Sequence, residues 1–217
     1  MRRPDPQMLR VYVVTSGTVD PRRTHEDIVE AAIEGGATAV QLRAPELRDE
    51  ELAALVPALA DRCRRAGIPL VVNDRVDVAV ASGASGAHVG QDEDAGTARA
   101  RLGPDRVLGI SVGTPDEAWT AERAGADYLG VTVWATDTKP DARPVGIDGL
   151  REVAAATALP VVGIGGIDAG NAAGVLEAGA AGIAVIGAVA AADDPVAAVR
   201  SLRDVVDRAL GRTEGRR

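Results

Sequence analysis

The sequence predicts an α/β fold in which eight parallel strands close into a barrel with helices outside. Short β-branched segments alternate with Ala-rich helical patterns along the chain of 217 residues, between its two charged ends, and glycines cluster after the last two strand segments. Such alternation requires a parallel sheet with right-handed crossovers, and units of about 25 residues fit a closed barrel of eight repeats. Residues 1–217 are therefore predicted to form a single-domain (β/α)8 TIM barrel with its core at about 10–210.

The eight predicted strands are rich in Val, Ile and Leu, as buried parallel strands are. In order, they are 10–16, 39–43, 69–74, 86–90, 106–111, 127–131, 160–166 and 182–187. The composition is 46% hydrophobic but only 2% aromatic, with no Phe. The core is therefore expected to be aliphatic.

Helical patterns occupy the segments between the strands. In the second of them, Leu52, Leu55, Leu59 and Cys63 recur at helical spacing. Four helices are predicted to end at a glycine that launches the next strand, in EGGATAV, RAGIPLV, RAGADYL and EAGAAGIAV. Cys63 is the only cysteine, which excludes an intramolecular disulfide or a Cys-based metal cluster, and we interpret it as a packed helix residue.

An open doubly wound sheet is the alternative fold. That fold carries a Gly-rich turn after its first strand, whereas VVTSGTVDPRRTHED contains only Gly17. The late glycines favour the barrel, whose phosphate sites lie after strands seven and eight. The charged or Pro-containing ends, 1–8 and 212–217, are predicted to be loosely ordered.

Charge and hydropathy exclude several classes of partner. The net charge of −8 argues against nucleic acid or an anionic membrane as a partner. No segment reaches the roughly 18 apolar residues of a spanning helix, and MRRPDPQM lacks the apolar stretch of a secretory signal. We expect a cytoplasmic protein that binds small molecules, and the sequence leaves its oligomeric state open, a homo-oligomer included.

Polar residues follow the predicted strands, where a barrel places its active site. Arg43 ends the second strand and is suited to a bidentate phosphate contact, with a surface ion pair as the alternative. Lys139, in the loop after strand six, offers a point charge to a phosphate, with simple solvation as the alternative.

Carboxylates suggest a site for a hard cation. Asp74 and the acidic residues Asp92, Glu93 and Asp94 supply the oxygen ligands that Mg²⁺ prefers alongside a phosphorylated substrate. The alternative is that the acidic run caps a helix N-terminus.

The segment PVVGIGGIDAGN suggests a phosphate site. Gly165 and Gly166 would let an oxyanion approach main-chain N–H groups, and a helix predicted to begin near Asp168 would direct its positive end there. Residues 185–187 would complete the site, whereas the alternative is that the glycines only turn the chain. Two anion sites and a metal in one barrel mouth indicate a transferase.

The two histidines do not indicate acyl transfer. His25 follows a predicted N-cap, Thr24, and is expected to be solvated. His88 lies within strand four and is expected to be packed or to support site residues indirectly. Ser111 has no histidine signature nearby, and GIGG lacks the Lys-Ser pair of a nucleotide-binding loop.

Several motifs together resemble the thiamine phosphate synthase family over roughly residues 10–205. They are QLR, VVNDRVDVAVASGASGAHVGQDED, GISV, AGADYLGV, WATDTKPDARPVGIDGL, PVVGIGGI and AGAAGIAVIGAV. The resemblance implies a barrel enzyme that joins hydroxymethylpyrimidine diphosphate to thiazole phosphate and releases pyrophosphate. It also implies Mg²⁺-assisted loss of the diphosphate to leave a pyrimidine carbocation.

The resemblance also implies roles for individual residues. Gln41 would contact the pyrimidine, Thr136, Thr138, Gly166, Ile186 and Gly187 would hold the thiazole phosphate, and Arg43, Asn73, Ser111 and Lys139 would hold the diphosphate. Arg43, Ser111 and Lys139 would be the catalytic group. Asp74 would bind Mg²⁺ together with Glu93 or Asp94.

The chain departs from the family pattern at some of these positions. Pro45 stands where a diphosphate-binding Lys is usual, with Arg75 and Arg143 as candidate replacements for its charge, and Gly187 stands where Ser is common. The loop after strand six is one residue shorter at Thr132, and Gly113 replaces a usual His. Loss of a cation and a hydroxyl would weaken binding by about 1–3 kcal/mol each if both contacts are desolvated.

These departures motivate alternative functions. A thiazole tautomerase would share the phosphate site but needs an acid/base group, which Gly113 does not offer. A non-catalytic barrel that binds a phosphorylated ligand is the second alternative, and a sugar-phosphate epimerase, which needs neither TDTKP nor the acidic cluster, is the third.

Overall fold

The computed structural model describes residues 6–91, 93–136 and 142–214. Its eight parallel strands pair in sequence order, and β8 pairs with β1 to close the barrel. The strands are β1 Val11–Val14, β2 Ala39–Leu42, β3 Leu70–Asn73, β4 Gly86–Val89, β5 Val107–Ser111, β6 Tyr128–Thr132, β7 Val161–Ile164 and β8 Gly182–Val185. The predicted barrel is confirmed, and each predicted strand overlaps an observed one.

Helices surround the barrel between these strands. They are α1 His25–Gly35, α2 Asp49–Arg65, α3 Val76–Ala81, α4 Ala95–Leu102, α5 Pro115–Arg123, α6 Gly146–Ala155, α7 Ala172–Glu177, α8 Gly187–Ala190 and α9 Pro195–Glu214. The glycines predicted to end four helices have φ between 74° and 104°, at Gly36, Gly67, Gly125 and Gly179. Among the helices of the described ranges, none is both long enough and apolar enough to cross a membrane.

The helix predicted to begin near Asp168 begins later, at Ala172. The Asp168 carboxylate accepts the N–H groups of Gly170 at 2.7 Å and Asn171 at 3.2 Å. These bonds satisfy the main chain in a turn, so the side chain that resembles a helix cap stabilises a loop instead. The prediction placed the helix start four residues too early.

Parts of both predicted loose ends are helical, while residues 1–5 and 215–217 lie outside the residues that the structure describes. Pro6–Leu9 form a 3-10 helix, although this segment belongs almost entirely to the predicted loose end 1–8. Leu9 is fully buried and packs in one cluster with Tyr12 and Tyr128 at the barrel axis. The buried Leu9 side chain fills the N-terminal end of the barrel and anchors the short helix Pro6–Leu9 to it. At the other end, α9 continues to Glu214.

Side chains alternate between the inside and the outside of the barrel. In β1, Val11 and Val13 face the helices, while Tyr12 and Val14 belong to the interior cluster. This alternation is the period of two that every strand imposes. The outer layer includes Cys63 of α2, and burial raises the pKa of its thiol to about 11, which agrees with its interpretation as a packing residue.

We expect Gly182→Ala to lower the free energy of unfolding by about 3 kcal/mol or more, since overpacking against rigid backbone is costly. A Cβ at Gly182 would overlap the Leu9 carbonyl at the closure of the barrel. Gly174→Ala is the matched control, because a Cβ there meets nothing within 4 Å and alanine favours the helix by up to about 1 kcal/mol. Urea denaturation of both variants tests this, and equal stabilities would contradict it.

Candidate active site

A cavity of about 320 Å³ opens where the strands end. Eight residues predicted to bind substrates line it, namely Gln41, Arg43, Asn73, Ser111, Thr136, Gly166, Ile186 and Gly187. They come from the ends of β2, β3, β5, β6, β7 and β8. The two others, Thr138 and Lys139, lie outside the residues that the structure describes. The cavity has the size and the mixed apolar and polar lining of a small-molecule site.

Strand alternation explains why these side chains converge. Gln41, Asn73 and Ser111 occupy inward positions one step above the residues that fill the barrel axis. Because the registers pair Val14 with Gln41 and Asn73 with His88, the inward positions of neighbouring strands lie at nearly one level. Polar residues at that level therefore surround a common space.

The loop that carries Arg43 is held from two sides. The Arg43 N–H donates to Thr15 Oγ1 at 3.2 Å. From the other side, the Arg75 guanidinium donates to the carbonyls of Ala44 and Leu47, both at 3.2 Å, and pairs with Asp49 at 2.7 Å. Arg75 therefore anchors the loop around Pro45. Its charge is engaged in this contact and does not line the cavity as a substitute for the usual Lys.

The prediction that His25 is solvated is wrong, because its residue is only 7% exposed. Its Nδ1 lies 2.8 Å from Thr15 Oγ1, and its Nε2 lies 2.7 Å from Glu46 Oε1. These partners stand 10 and 21 residues away, so helix-cap reasoning on neighbouring residues did not reveal them. The Thr15–His25–Glu46 cluster joins the loops after β1 and β2 beside Arg43.

A chain of hydrogen bonds crosses the floor of the cavity. Gln41 Nε2 donates to Tyr12 Oη at 3.1 Å, and Tyr12 Oη lies 2.9 Å from Tyr128 Oη. His88 continues the chain, with Nδ1 3.0 Å from Tyr128 Oη and Nε2 3.0 Å from Ser111 Oγ. The prediction of a packed or supporting His88 is confirmed. Neither tyrosine was identified from the sequence as a site residue. The alternation of inward and outward side chains along β1 and β6 was the signal that could have placed both inside the barrel.

Both tyrosines remain protonated at neutral pH. Burial raises the pKa of Tyr12 to about 12, and burial raises the pKa of Tyr128 well above its ordinary value. Each hydroxyl therefore keeps one proton to donate while it accepts another hydrogen bond.

Two of the predicted phosphate-site glycines have a backbone conformation that favours glycine. Gly165 and Gly166 have φ of 92° and 63°, a region that L side chains rarely adopt. A Cβ at Gly165 would overlap the Trp134 carbonyl, whereas one at Gly187 would meet nothing within 4 Å. The shape of the turn is therefore sufficient reason for a glycine at 165, with or without a bound phosphate. At Gly187, by contrast, there is room for a side chain, so the glycine leaves open space at the cavity wall.

The predicted acidic ligands do not form one dense group. Across the described ranges, no three His, Cys, Asp or Glu side chains are arranged to hold a metal, and Asp92 lies outside those ranges. Asp94 is the N-cap of α4 and accepts the Thr97 N–H at 2.7 Å, so hydrogen bonding to Thr97 lowers the pKa of its carboxyl. Glu93 pairs with Arg101 at 3.3 Å.

Asp74 is the conformational exception among the described non-glycine residues. Its φ is 61°, and its N–H donates to the His88 carbonyl at 2.8 Å. Asn73 Nδ2 donates to its Oδ2 at 2.6 Å. A left-handed Asp at a strand end is the kind of backbone strain that clusters at functional sites.

Comparison with known proteins identifies similar sequences and structures. The model of the family described as thiamine monophosphate synthase matches residues 11–189. A thiamine-phosphate synthase of Moorella thermoacetica is 50% identical over 205 residues, which cover 93% of this chain and 98% of the relative. One from Chloroflexus aurantiacus is 50% identical over 199 residues, covering 91% and 92%.

A solved structure agrees with these sequences. Thiamine phosphate pyrophosphorylase from Pyrococcus furiosus superposes with a TM-score of 0.87 at 39% identity, and the match covers 95% of this chain and 99% of that chain.

We expect Thr15→Val to lower the free energy of unfolding by about 1–3 kcal/mol, because it leaves the Arg43 N–H and the His25 ring without their shared partner. Thr15 is fully buried, so water does not replace the lost hydroxyl. Thr15→Ser keeps the oxygen and loses only a methyl, worth about 0.8 kcal/mol. If urea denaturation shows Val at least as stable as Ser, the cluster does not hold the loop.

Proposed function

The chain belongs to the thiamine monophosphate synthase family, and we propose that it joins hydroxymethylpyrimidine diphosphate to thiazole phosphate, giving thiamine phosphate and pyrophosphate. The observation that carries the proposal is the single cavity shared by the eight described residues expected to bind these two substrates. The enzyme is a transferase of the synthase type. Its substrates are charged phosphate esters that cross membranes poorly, which supports the proposal that it acts in the cytoplasm.

The diphosphate would bind on the side of the cavity formed by β2, β3 and β5. Arg43 offers a planar guanidinium with several donors, and Asn73 and Ser111 offer an amide and a hydroxyl beside it. Lys139 would add a further charge from the loop after β6. Gln41, deeper in the cavity and 5% exposed, would contact the pyrimidine ring.

The reaction we propose begins with cleavage of the pyrimidine C–O bond. The electron pair leaves with the pyrophosphate, where Arg43, Lys139 and Ser111 would stabilise the developing negative charge. The thiazole nitrogen then donates its lone pair to the pyrimidine carbocation and forms the new C–N bond. No side chain acts as nucleophile, so preorganised charge accounts for catalysis.

The thiazole phosphate would bind on the opposite side, formed by the loops after β6, β7 and β8. Thr136, Gly166, Ile186 and Gly187 line that wall, and Thr138 would join them. Gly187 takes the place of the usual Ser, so main-chain N–H groups would provide most of the donors. The phosphate therefore depends more on backbone than in relatives with a hydroxyl.

Asp74, Glu93 and Asp94 offer the carboxylate oxygens that Mg²⁺ prefers as ligands. Magnesium usually binds through one or two carboxylates together with water and substrate phosphate oxygens, so a dense protein cluster is not required. Asp74 would be one ligand, and Glu93 or Asp94 the other. When bound, Mg²⁺ supplies positive charge to the leaving diphosphate.

Purified protein, both substrates and Mg²⁺ are expected to give thiamine phosphate and pyrophosphate in equal amounts, with no product after EDTA. Arg43→Ala is expected to lower kcat/KM by about 100-fold or more, the usual effect of removing a donor to developing charge. Arg62→Ala is the matched control, because Arg62 pairs with Glu30 on the outer helices. Folded protein that forms no thiamine phosphate would contradict the synthase proposal and favour tautomerisation or binding alone.

Asn substitutions separate the capping and metal-binding roles of the acidic residues. Because Asn also caps helices well, Asp94→Asn is expected to keep the stability of α4. If Asp94 is the ligand, the variant weakens Mn²⁺ binding in the presence of pyrophosphate by at least about 10-fold. Glu93→Gln is the matched comparison, and electron paramagnetic resonance of Mn²⁺ measures both. Asp74→Asn with unchanged Mn²⁺ affinity would exclude Asp74 as a ligand.

A further inference from the structure

We propose that a polarised chain of hydrogen bonds from Gln41 through Tyr12, Tyr128 and His88 turns the Ser111 hydroxyl proton toward the leaving diphosphate. The inference rests on the proposed function, because it concerns how the leaving group of that reaction is recognised. Tyr12, Tyr128 and His88 are positioning residues in this arrangement, and they act on the substrate through Ser111.

Gln41, the first residue of the chain, determines the direction in which the hydrogen bonds are donated. The Gln41 amide nitrogen can only donate, so Tyr12 Oη accepts at 3.1 Å. The two phenol oxygens lie 2.9 Å apart, and either hydroxyl could donate across this distance. We assign the donor to Tyr12, because its oxygen already accepts from Gln41 and its single proton is free for Tyr128. Tyr128 therefore accepts from Tyr12 and has its own proton left for another partner.

His88 transmits this direction to the cavity. Tyr128 Oη lies 3.0 Å from His88 Nδ1, and in the proposed direction the phenol donates to this nitrogen. That assignment places the proton of a neutral imidazole on Nε2. Nε2–H then donates to Ser111 Oγ at 3.0 Å. Since Ser111 Oγ is an acceptor in this bond, its own proton is directed to another group, and the side chain lines the cavity where the diphosphate would bind.

The surrounding packing holds the chain in place. A Cβ at Gly109 would overlap both Tyr128 Oη and His88 Nδ1, and one at Gly130 would lie 3.0 Å from His88 Cε1. The two glycines therefore form the slot in which the imidazole meets the phenol. Tyr12 and Tyr128 are 2% and 1% exposed, so water does not compete for their hydrogen bonds.

The same direction excludes His88 as a base for Ser111. In a Ser–His nucleophilic pair, a carboxylate accepts the Nδ1 proton and leaves Nε2 free to take the serine proton. In the proposed direction a neutral phenol, and not a carboxylate, faces Nδ1 and donates to it. Nε2 then carries the imidazole proton, and Ser111 keeps its own. Ser111 is thereby a donor to an anion and is not activated as a nucleophile.

Nitrogen NMR of the imidazoles tests the proposal without turnover. The chain has two histidines, and His25→Gln identifies the signals of His88 by difference. The wild-type protein is expected to show His88 protonated at Nε2, and Tyr128→Phe is expected to shift the population toward the Nδ1-protonated form. Wild-type His88 protonated at Nδ1 would overturn the proposal.

A double-variant cycle tests the effect on the reaction. Tyr128→Phe keeps the ring and is expected to lower kcat/KM by about 10-fold, the effect of one hydrogen bond to a charged group. In the Ser111→Ala background the same change is expected to cost less than about 2-fold, because it acts through Ser111. Tyr12→Phe, which leaves the Tyr128 proton in place, is expected to have the smaller effect. Equal losses in both backgrounds would overturn the proposal.

The test remains decisive if the wild-type protein forms no thiamine phosphate. In that case pyrophosphate affinity replaces kcat/KM in the cycle. It is measured by calorimetry for the wild type, Tyr128→Phe, Ser111→Ala and the double variant. The NMR experiment does not depend on turnover and is unaffected. Failure of the synthase proposal and failure of the polarised chain thus give different results. Thermal melting of each variant verifies that it is folded.

Discussion

The closure of a parallel barrel forces every second residue of each strand into one narrow interior. This space must be filled at the N-terminal end and left open where the strands end, so the sizes of inward side chains determine the site. Leu9 and the two tyrosines fill the axis. Glycines at 86, 109 and 182 stand where any side chain would overlap a neighbour. The cavity above them is what remains.

Polar groups in that interior must find partners within the protein. Among the described side chains, every buried nitrogen or oxygen has a hydrogen-bond partner. The chain from Gln41 to Ser111 meets this requirement with five residues from β1, β2, β4, β5 and β6. A network that crosses so many strands is rigid, and rigidity is what a site that stabilises developing charge requires.

The loops above the barrel are held by contacts outside the reaction itself. Thr15 and His25 fix one side of the loop that carries Arg43, and Arg75 fixes the other. The loop that carries Pro45 in place of the usual Lys therefore has a defined shape. The diphosphate site would then rely on fewer charges, held by a loop that is fixed on both sides.

The sequence by itself determined the barrel. The alternation of strand and helix patterns depends only on local periodicity, and the four glycines that end helices depend only on backbone preference. Its motifs also indicated that Gln41, Asn73 and Ser111 line the site, because the sequence pattern alone places each of them near the end of a strand. Only the tertiary structure decided that His25 is buried against Glu46, that Asp168 closes a turn, and that Tyr12 and Tyr128 link Gln41 to His88. Each of these depends on competition between partners or on contacts across distant strands, and the hydrogen-bond requirements of buried groups are settled only when the barrel closes.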